Sequence, residues 1–339
     1  MEYLIQWHLT ARCDQKCWHC YMKEQPTYLS EIRNELSLSD CKKVIDDYAD
    51  LMKMWKMQGM INFTGGDPLL RDDFFEILNY AVSRGIKCGI LGNPYHITDE
   101  TAKLLKGKIT HYQLSIDGRP ELHNKFRKKG SFDDTIRAIR ILKKHRIRTL
   151  VMFTLSRVNM NDIFYVMEKC NEEGVDVFDF ARLVPTGCGK SYENDMLTPV
   201  ECKKLFKKID DYWKDLNSRT RFGRKDNLWK LYFYENGAEI PKNQYTGCSF
   251  GIYLSILADG SVMSCRRIPI IIGKVPRDKL KQLILFYLKP FRDYQKYECF
   301  SCELSKVCRG CPAISYALTG SYTVKDPCCW KEVNYGQNK

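Results

Sequence analysis

Apolar and polar positions exchange along the first two thirds of the chain in two recurring rhythms. Residues 3–9 are apolar and aromatic and read as a strand. Residues 40–57 carry Val44, Tyr48, Leu51, Met52 and Trp55 at the spacing of an amphipathic helix. Ser39 is its expected N-cap, and Gly59 follows its end. Residues 60–63 form a short apolar strand that runs into Thr64-Gly65-Gly66. The exchange then repeats, with helices over 72–83, 98–106, 132–145, 161–173 and 199–216 and strands over 86–91, 112–116, 147–155 and 175–184. Six strand–helix units predict an α/β fold with a parallel sheet and right-handed crossovers. The expected architecture is a partial (β/α)6 barrel over residues 1–217, whose site lies at the C-terminal ends of the strands. Residues 218–247 are polar and basic with a few aromatics and read as a bridging linker or bridging helix. Over 248–339 the pattern changes to a small cysteine-rich domain, with a hairpin at 253–265 turning at Asp259-Gly260, a helix near 278–290, and loops.

Of 339 residues, 44% are hydrophobic and 28% charged, the balance of a folded chain. No apolar run approaches the roughly 20 residues that span a bilayer, and residues 1–10 lack the pattern of a secretory signal. A cytoplasmic location without a membrane partner is expected. The 16 cysteines change the picture, because in a reducing compartment they point to metal ligands or catalytic thiols rather than disulfides. Cys41, Cys88, Cys170, Cys188 and Cys202 are scattered and read as small buried hydrophobes. The other eleven fall into two clusters. The net charge of +13 includes ten Lys/Arg against two Asp over 124–148. Such a patch can bind nucleic acid, but no RNA-binding motif accompanies it, so a solvated helix face is expected and no nucleic-acid partner.

Cys13, Cys17 and Cys20 place three soft ligands on one loop after the first strand. They suit an iron–sulfur cluster or zinc, and the plainer alternative is a zinc loop completed by His19 or a remote residue. The run Cys13-Asp14-Gln15-Lys16-Cys17-Trp18-His19-Cys20-Tyr21 resembles the CxxxCxxC motif of radical S-adenosylmethionine (SAM) enzymes. The resemblance implies a [4Fe–4S] cluster whose fourth iron takes the amine and carboxylate of SAM. It also implies reductive cleavage of SAM to a 5′-deoxyadenosyl radical that abstracts a substrate hydrogen. His19 stands where the family often has an aromatic. Gly65-Gly66-Asp67-Pro68 resembles the family's GGEP segment, with Asp67 for Glu, which implies backbone contact to the SAM amino group. Glycines permit such close approach. Ser115-Ile116-Asp117-Gly118, with His123-Asn124 and Arg127, resembles the S-x-D-G…H-D…R stretch. It implies Ser115 at the SAM carboxylate or ribose and Arg137 at the carboxylate; a strand-end turn is the plainer reading of Ser115. Arg182-Leu183-Val184-Pro185-Thr186-Gly187 resembles the segment that packs on adenine, which implicates Val184, with Tyr21 stacking nearby.

The second cluster reads Cys248-x11-Gly260-x4-Cys265, then Cys299-x2-Cys302-x5-Cys308-x2-Cys311, then Cys328-Cys329. Cys299 to Cys311 alone could form a zinc ribbon. The whole array resembles the SPASM extension of radical SAM enzymes, which implies two auxiliary [4Fe–4S] clusters and three in all. By that resemblance Cys299, Cys302, Cys308 and Cys329 hold one, and Cys248, Cys265 and Cys311 the other. Lys242 stands where a fourth cysteine of the latter is expected, so its last iron is open or takes a non-cysteine ligand, with Cys188 or Cys202 as remote alternatives. Cys308-Arg309-Gly310-Cys311 is one residue shorter than the family pattern. Arg266-Arg267 replaces the aspartate base of sulfatase-maturing relatives.

The expected function is oxidative modification of a ribosomally made peptide, forming a thioether or other crosslink. The expected partners are that precursor peptide and a flavodoxin- or ferredoxin-type reductant. A separate peptide-recognition protein, or a leader read by the barrel itself, is expected too, since the first motif begins about a dozen residues into the chain. The alternative is a SPASM enzyme acting on a small-molecule or cofactor precursor of tetrapyrrole or pterin type, whose acidic groups Cys265-Arg266-Arg267 would meet. A zinc-binding nucleic-acid protein is the third reading.

Overall fold

A computed structural model describes residues 1–239, 248 and 250–331. Its first half alternates as the apolar pattern requires. The strands are β1 (Glu2–Thr10), β2 (Gln58–Gly65), β3 (Lys87–Leu91), β4 (Tyr112–Ser115), β5 (Thr149–Leu155) and β6 (Val177–Arg182). Between them run α1 (Tyr28–Arg33), α2 (Leu38–Trp55), α3 (Phe74–Ser83), α4 (Asp99–Leu105), α5 (Pro120–Phe126), α6 (Ser131–Lys144) and α7 (Ile163–Glu172), and α8 (Pro199–Asp215) follows β6. Neighbouring strands from β1 to β6 pair in parallel.

The boundary of α2 differs from the sequence expectation. Ser37, not Ser39, caps it by accepting from the Asp40 amide at 3.1 Å. The helix ends at Lys56 in the left-handed region (φ 53), and Gly59 belongs to β2. A Cβ on Gly59 would lie 2.7 Å from Ile86 Cδ1 and 3.1 Å from Tyr48 Cε1. Glycine is needed there for helix-on-sheet packing, not for a cap.

The bridge at 218–247 contains β7 (Arg221–Phe222), which adds to β6 in parallel, and α9 (Leu228–Glu235). Trp229 of α9 is fully buried, with its ring centroid 4.6 Å from that of Phe206. Lys242 lies outside the described residues. The expected hairpin forms as β8 (Leu254–Ile256) and β9 (Ser261–Met263), with Gly260 at φ 85 in the turn. β8 also pairs in parallel with β1, and β10 (Ile271–Lys274) extends the other edge. One ten-stranded sheet therefore runs β10-β9-β8-β1-β2-β3-β4-β5-β6-β7 through both halves.

The helix expected near 278–290 is interrupted. Only α10 (Leu280–Gln282) is α-helical, followed by a π turn at Leu283–Tyr287 and a 3-10 turn at Lys289–Arg292. Pro290 lacks the amide that a continuing helix requires. Conversely, the tail contains α11 (Pro312–Thr319), begun by a proline at its first position and buried at Ile314.

The sheet is curled. Gln6, Asn62, Leu91, Gln113, Met152 and Ala181, from six successive strands, all border one cleft. Their opposite faces carry Trp7, Phe63, Phe153 and Phe180, which are buried against the outer layer. No described helix is long and apolar enough to cross a membrane.

Candidate active site

The cleft has a volume of about 420 Å³, and its wall includes Gly65, Leu91, Ser115 and Arg182 at the C-terminal ends of their strands. The loop after β1 brings Cys13, Cys17 and Cys20 into its wall, together with Tyr21, Gly65, Gly66, Ser115 and Val184. A local clasp fixes that loop. The Gly66 amide donates to the Thr10 carbonyl and the Asp67 amide to the Arg12 carbonyl, each at 2.9 Å. A Cβ on Gly66 would meet Arg12 O at 1.8 Å, and one on Gly65 would meet Thr10 O at 2.0 Å. The two glycines thus serve first to let the cysteine loop's own backbone approach.

Asp67 is fully buried and does not line the cleft. Its Oδ1 accepts from the Leu69 amide at 3.1 Å and caps the following turn. Arg137 is also absent from the cleft. It sits on α6, half exposed, and donates to the Ile97 carbonyl at 2.9 Å. The basic residue at the cysteines is instead Arg127, already part of the quoted stretch. Its Nε donates to Asp117 at 2.5 Å, and its Nη1 to Gln15 Oε1 at 3.2 Å and Cys17 Sγ at 3.8 Å. Desolvation pushes Asp117 up, but the Arg127 charge, then His19 and His123, overcome it and hold the carboxyl at about 2. Asn93, at the end of β3, donates to Cys13 Sγ at 3.4 Å and to Asp14 at 2.7 Å. Position at a strand's C-terminal end was the sequence signal that could have found it.

Burial pushes the Cys17 thiol up to about 12 and raises Cys13 as well. Thiolates here need a compensating cation, and the amide and guanidinium aimed at sulfur match the hydrogen bonding that thiolate-bound clusters receive. The three-thiol loop therefore fits an iron–sulfur group.

The second set of cysteines divides in space. Cys248, Cys265 and Cys311 border the same cleft as the first loop. Cys299, Cys302, Cys308 and Cys329 border a separate small void. Asn227 ties the two groups. Its Oδ1 accepts from the Cys248 amide at 2.8 Å, and its Nδ2 donates to the Gly310 carbonyl at 2.6 Å. The shortened Cys308–Cys311 loop is accommodated by positive φ at Arg309 (118) and Gly310 (59).

Neither remote cysteine joins Cys248, Cys265 and Cys311. The Cys188 amide bonds the Cys20 carbonyl at 3.0 Å. Cys202 is buried against Cys328, whose Sγ donates to Leu197 O at 3.2 Å. Buried Arg182 at the end of β6 joins the halves by gripping Asp226 and Asp326, each with a contact at 2.7 Å.

Residues 7–170 match the Radical SAM superfamily. The chain is 28% identical over 347 residues to an AdoMet-dependent heme synthase of Methanosarcina barkeri, covering 96% of this chain and 95% of that one. It is 31% identical over 218 residues to an Fe-coproporphyrin III synthase of the same organism, covering 64% of this chain and 53% of that one. The solved structure of anSMEcpe with bound AdoMet shares the fold at a TM-score of 0.75 and 20% identity, over 97% of this chain and 94% of that one. The same protein with AdoMet and the Cp18Cys peptide gives 0.72. Among these relatives, those similar in sequence along the chain carry tetrapyrrole names, and the peptide-bound one is similar in fold. The triple-cysteine loop after the first strand, the glycine clasp that fixes it and the match over residues 7–170 identify a radical SAM domain in this enzyme.

Proposed function

We propose that this enzyme acts on a carboxylate-bearing tetrapyrrole of the heme-precursor class, and not on a ribosomal peptide. The observation that carries the proposal is the likeness to an AdoMet-dependent heme synthase along 96% of the chain. The cleft supports it, because thiols from both halves border it together with cationic side chains suited to acidic substrate groups. The small-molecule alternative thereby takes precedence over peptide crosslinking.

In this proposal Cys13, Cys17 and Cys20 hold the cluster that, when reduced with SAM bound, supplies a hydrogen-abstracting radical. Gly65, Gly66, Ser115, Val184 and Tyr21 bound the SAM site, and Arg127 and Asn93 donate toward the sulfurs. Cys299, Cys302, Cys308 and Cys329 hold one auxiliary cluster, and Cys248, Cys265 and Cys311 the other, with a fourth ligand that is not a described cysteine. Residues 1–217 form the SAM-cleaving body, 218–247 the bridge and 248–339 the auxiliary domain. A flavodoxin- or ferredoxin-type protein in the cytoplasm supplies electrons.

The test is anaerobic incubation of the reconstituted enzyme with reductant and SAM, with Fe-coproporphyrin III or a cysteine-containing peptide added in parallel. The tetrapyrrole should accelerate 5′-deoxyadenosine formation and change in mass. Stimulation and a mass change with the peptide alone would restore the peptide reading.

A further inference from the structure

Six cationic side chains border the cleft: Lys23, Arg127, Arg182, Lys225, Arg266 and Arg267. Four are already engaged. Lys23 donates to the Gln15 carbonyl at 3.1 Å, Arg127 pairs with Asp117, and Arg182 with Asp226 and Asp326. Arg266 is buried and pairs with buried Glu31 at 2.6 Å, so it locks α1 to the loop after β9. Its sequence neighbour differs. Among the described residues the Arg267 guanidinium has no carboxylate partner and lies over the Tyr21 ring, 4.8 Å from its centroid. The Lys225 ammonium likewise has no partner there. Only the Lys225 backbone amide bonds Asp179, at 3.3 Å. Both cations border the same cleft; burial, then the Arg267 charge, lowers the Lys225 ammonium below the ordinary lysine value, against the opposing pull of Asp179 and the Cys248 and Cys265 thiols.

Tyr21 follows Cys20 directly, and Arg267 follows Cys265 by two residues. Arg267, Tyr21 and the thiols of both sets border one cleft. Neither cation forms an ion pair among the described residues, although the Asp179 carboxyl acts on Lys225 and the thiols of Cys265, Cys311 and Cys248 act on Arg267, so an anionic ligand between the two gains from both charges.

We infer that Arg267 and Lys225 form a carboxylate anchor, with Arg267 braced on Tyr21, that seats an acidic side chain of the substrate between the two thiol sets. This rests on the tetrapyrrole reading and deepens it. A planar guanidinium takes a carboxylate in bidentate fashion, and the lysine adds a point charge. Arg266, adjacent in sequence, has no part in it.

The test is fluorescence anisotropy of free-base coproporphyrin III and of its tetramethyl ester, both in the same mild detergent, with the reconstituted holoenzyme. The wild type should bind the acid and not the ester. Arg267→Gln should weaken acid binding by about 10- to 100-fold, the loss of one charge-assisted pair, and Arg267→Lys should recover part of it. Iron content should stay at the wild-type level. Equal binding of acid and ester by the wild type overturns the anchor and leaves the tetrapyrrole reading standing. Binding of neither overturns that reading, and the anchor with it. Acid binding unchanged in Arg267→Gln, or its loss together with iron, overturns the anchor by showing that Arg267 offsets the charge of the metal site instead. If Arg267→Gln fails to fold, the acid-against-ester comparison on the wild type still decides.

Discussion

At the scale of single residues, neighbours of the same type have different tasks. Gly66 has Arg12 O at 1.8 Å from any Cβ, whereas Gly85 (φ 76) has nothing within 4 Å. Gly66→Ala should displace the cysteine loop, with loss of iron from the first site and of SAM cleavage. Gly85→Ala should cost only about 1 kcal/mol of backbone strain, read as a small fall in unfolding midpoint with iron content unchanged. His111 makes a pH prediction. Burial, then the Arg148 charge, lowers its pKa to about 4, against about 6.5 in an unfolded chain. Between those values the unfolded chain binds more protons, so the His111 contribution is complete above about pH 6.5 and is lost as pH falls toward 4. His111→Gln should flatten that part of the urea-midpoint profile; parallel profiles for variant and wild type would refute it. Residue type and spacing revealed the cysteines, because thiols three or four apart on one loop have few other uses. They did not separate Arg127 from Arg137, or Arg266 from Arg267, since the difference lies in which carboxylate, carbonyl or ring each side chain meets across the fold.

At the scale of elements, the β/α rhythm was legible because each strand buries one face and each helix one stripe. β7, β10 and α11 were not: β7 spans two residues, and β10 and α11 lie outside the repeating strand–helix alternation that made equally short β4 and α4 visible. β8 looked like half of an isolated hairpin, and its pairing with β1 is long-range information that no local pattern carries. That pairing has a consequence. A chain ending at residue 239 would expose the edge of β1 and leave Arg182 without Asp326. Such a fragment should aggregate, whereas a soluble fragment with a cooperative unfolding transition would show that the halves are independent. Within the full chain, Arg182→Met leaves Asp226 and Asp326 buried without their cation. Removing one partner of a buried pair costs about 3–5 kcal/mol, so chemical denaturation should show a loss of that size. A loss below about 1 kcal/mol would mean the network is not under load.

At the scale of the whole molecule, the two halves build one cleft and one separate thiol-lined void. The void lies apart from Tyr21, Ser115 and Val184. Cys17→Ala should therefore abolish SAM cleavage, while Cys299→Ala should spare cleavage better than turnover; equal loss of both activities in Cys299→Ala would deny that division. The peptide expectation arose because twin auxiliary cysteine sets suit peptide maturases, and the curled-sheet fold is indeed shared with anSMEcpe. The substrate was less legible, since the cysteine spacing sets which clusters are held and not the shape or charge of the cleft, which form only on folding. The most direct measurement uses Fe-coproporphyrin III deuterated on its side chains, incubated anaerobically with the reconstituted enzyme, reductant and SAM. The account predicts deuterium in the 5′-deoxyadenosine and a changed tetrapyrrole mass. Unlabelled 5′-deoxyadenosine beside an unaltered tetrapyrrole would contradict it.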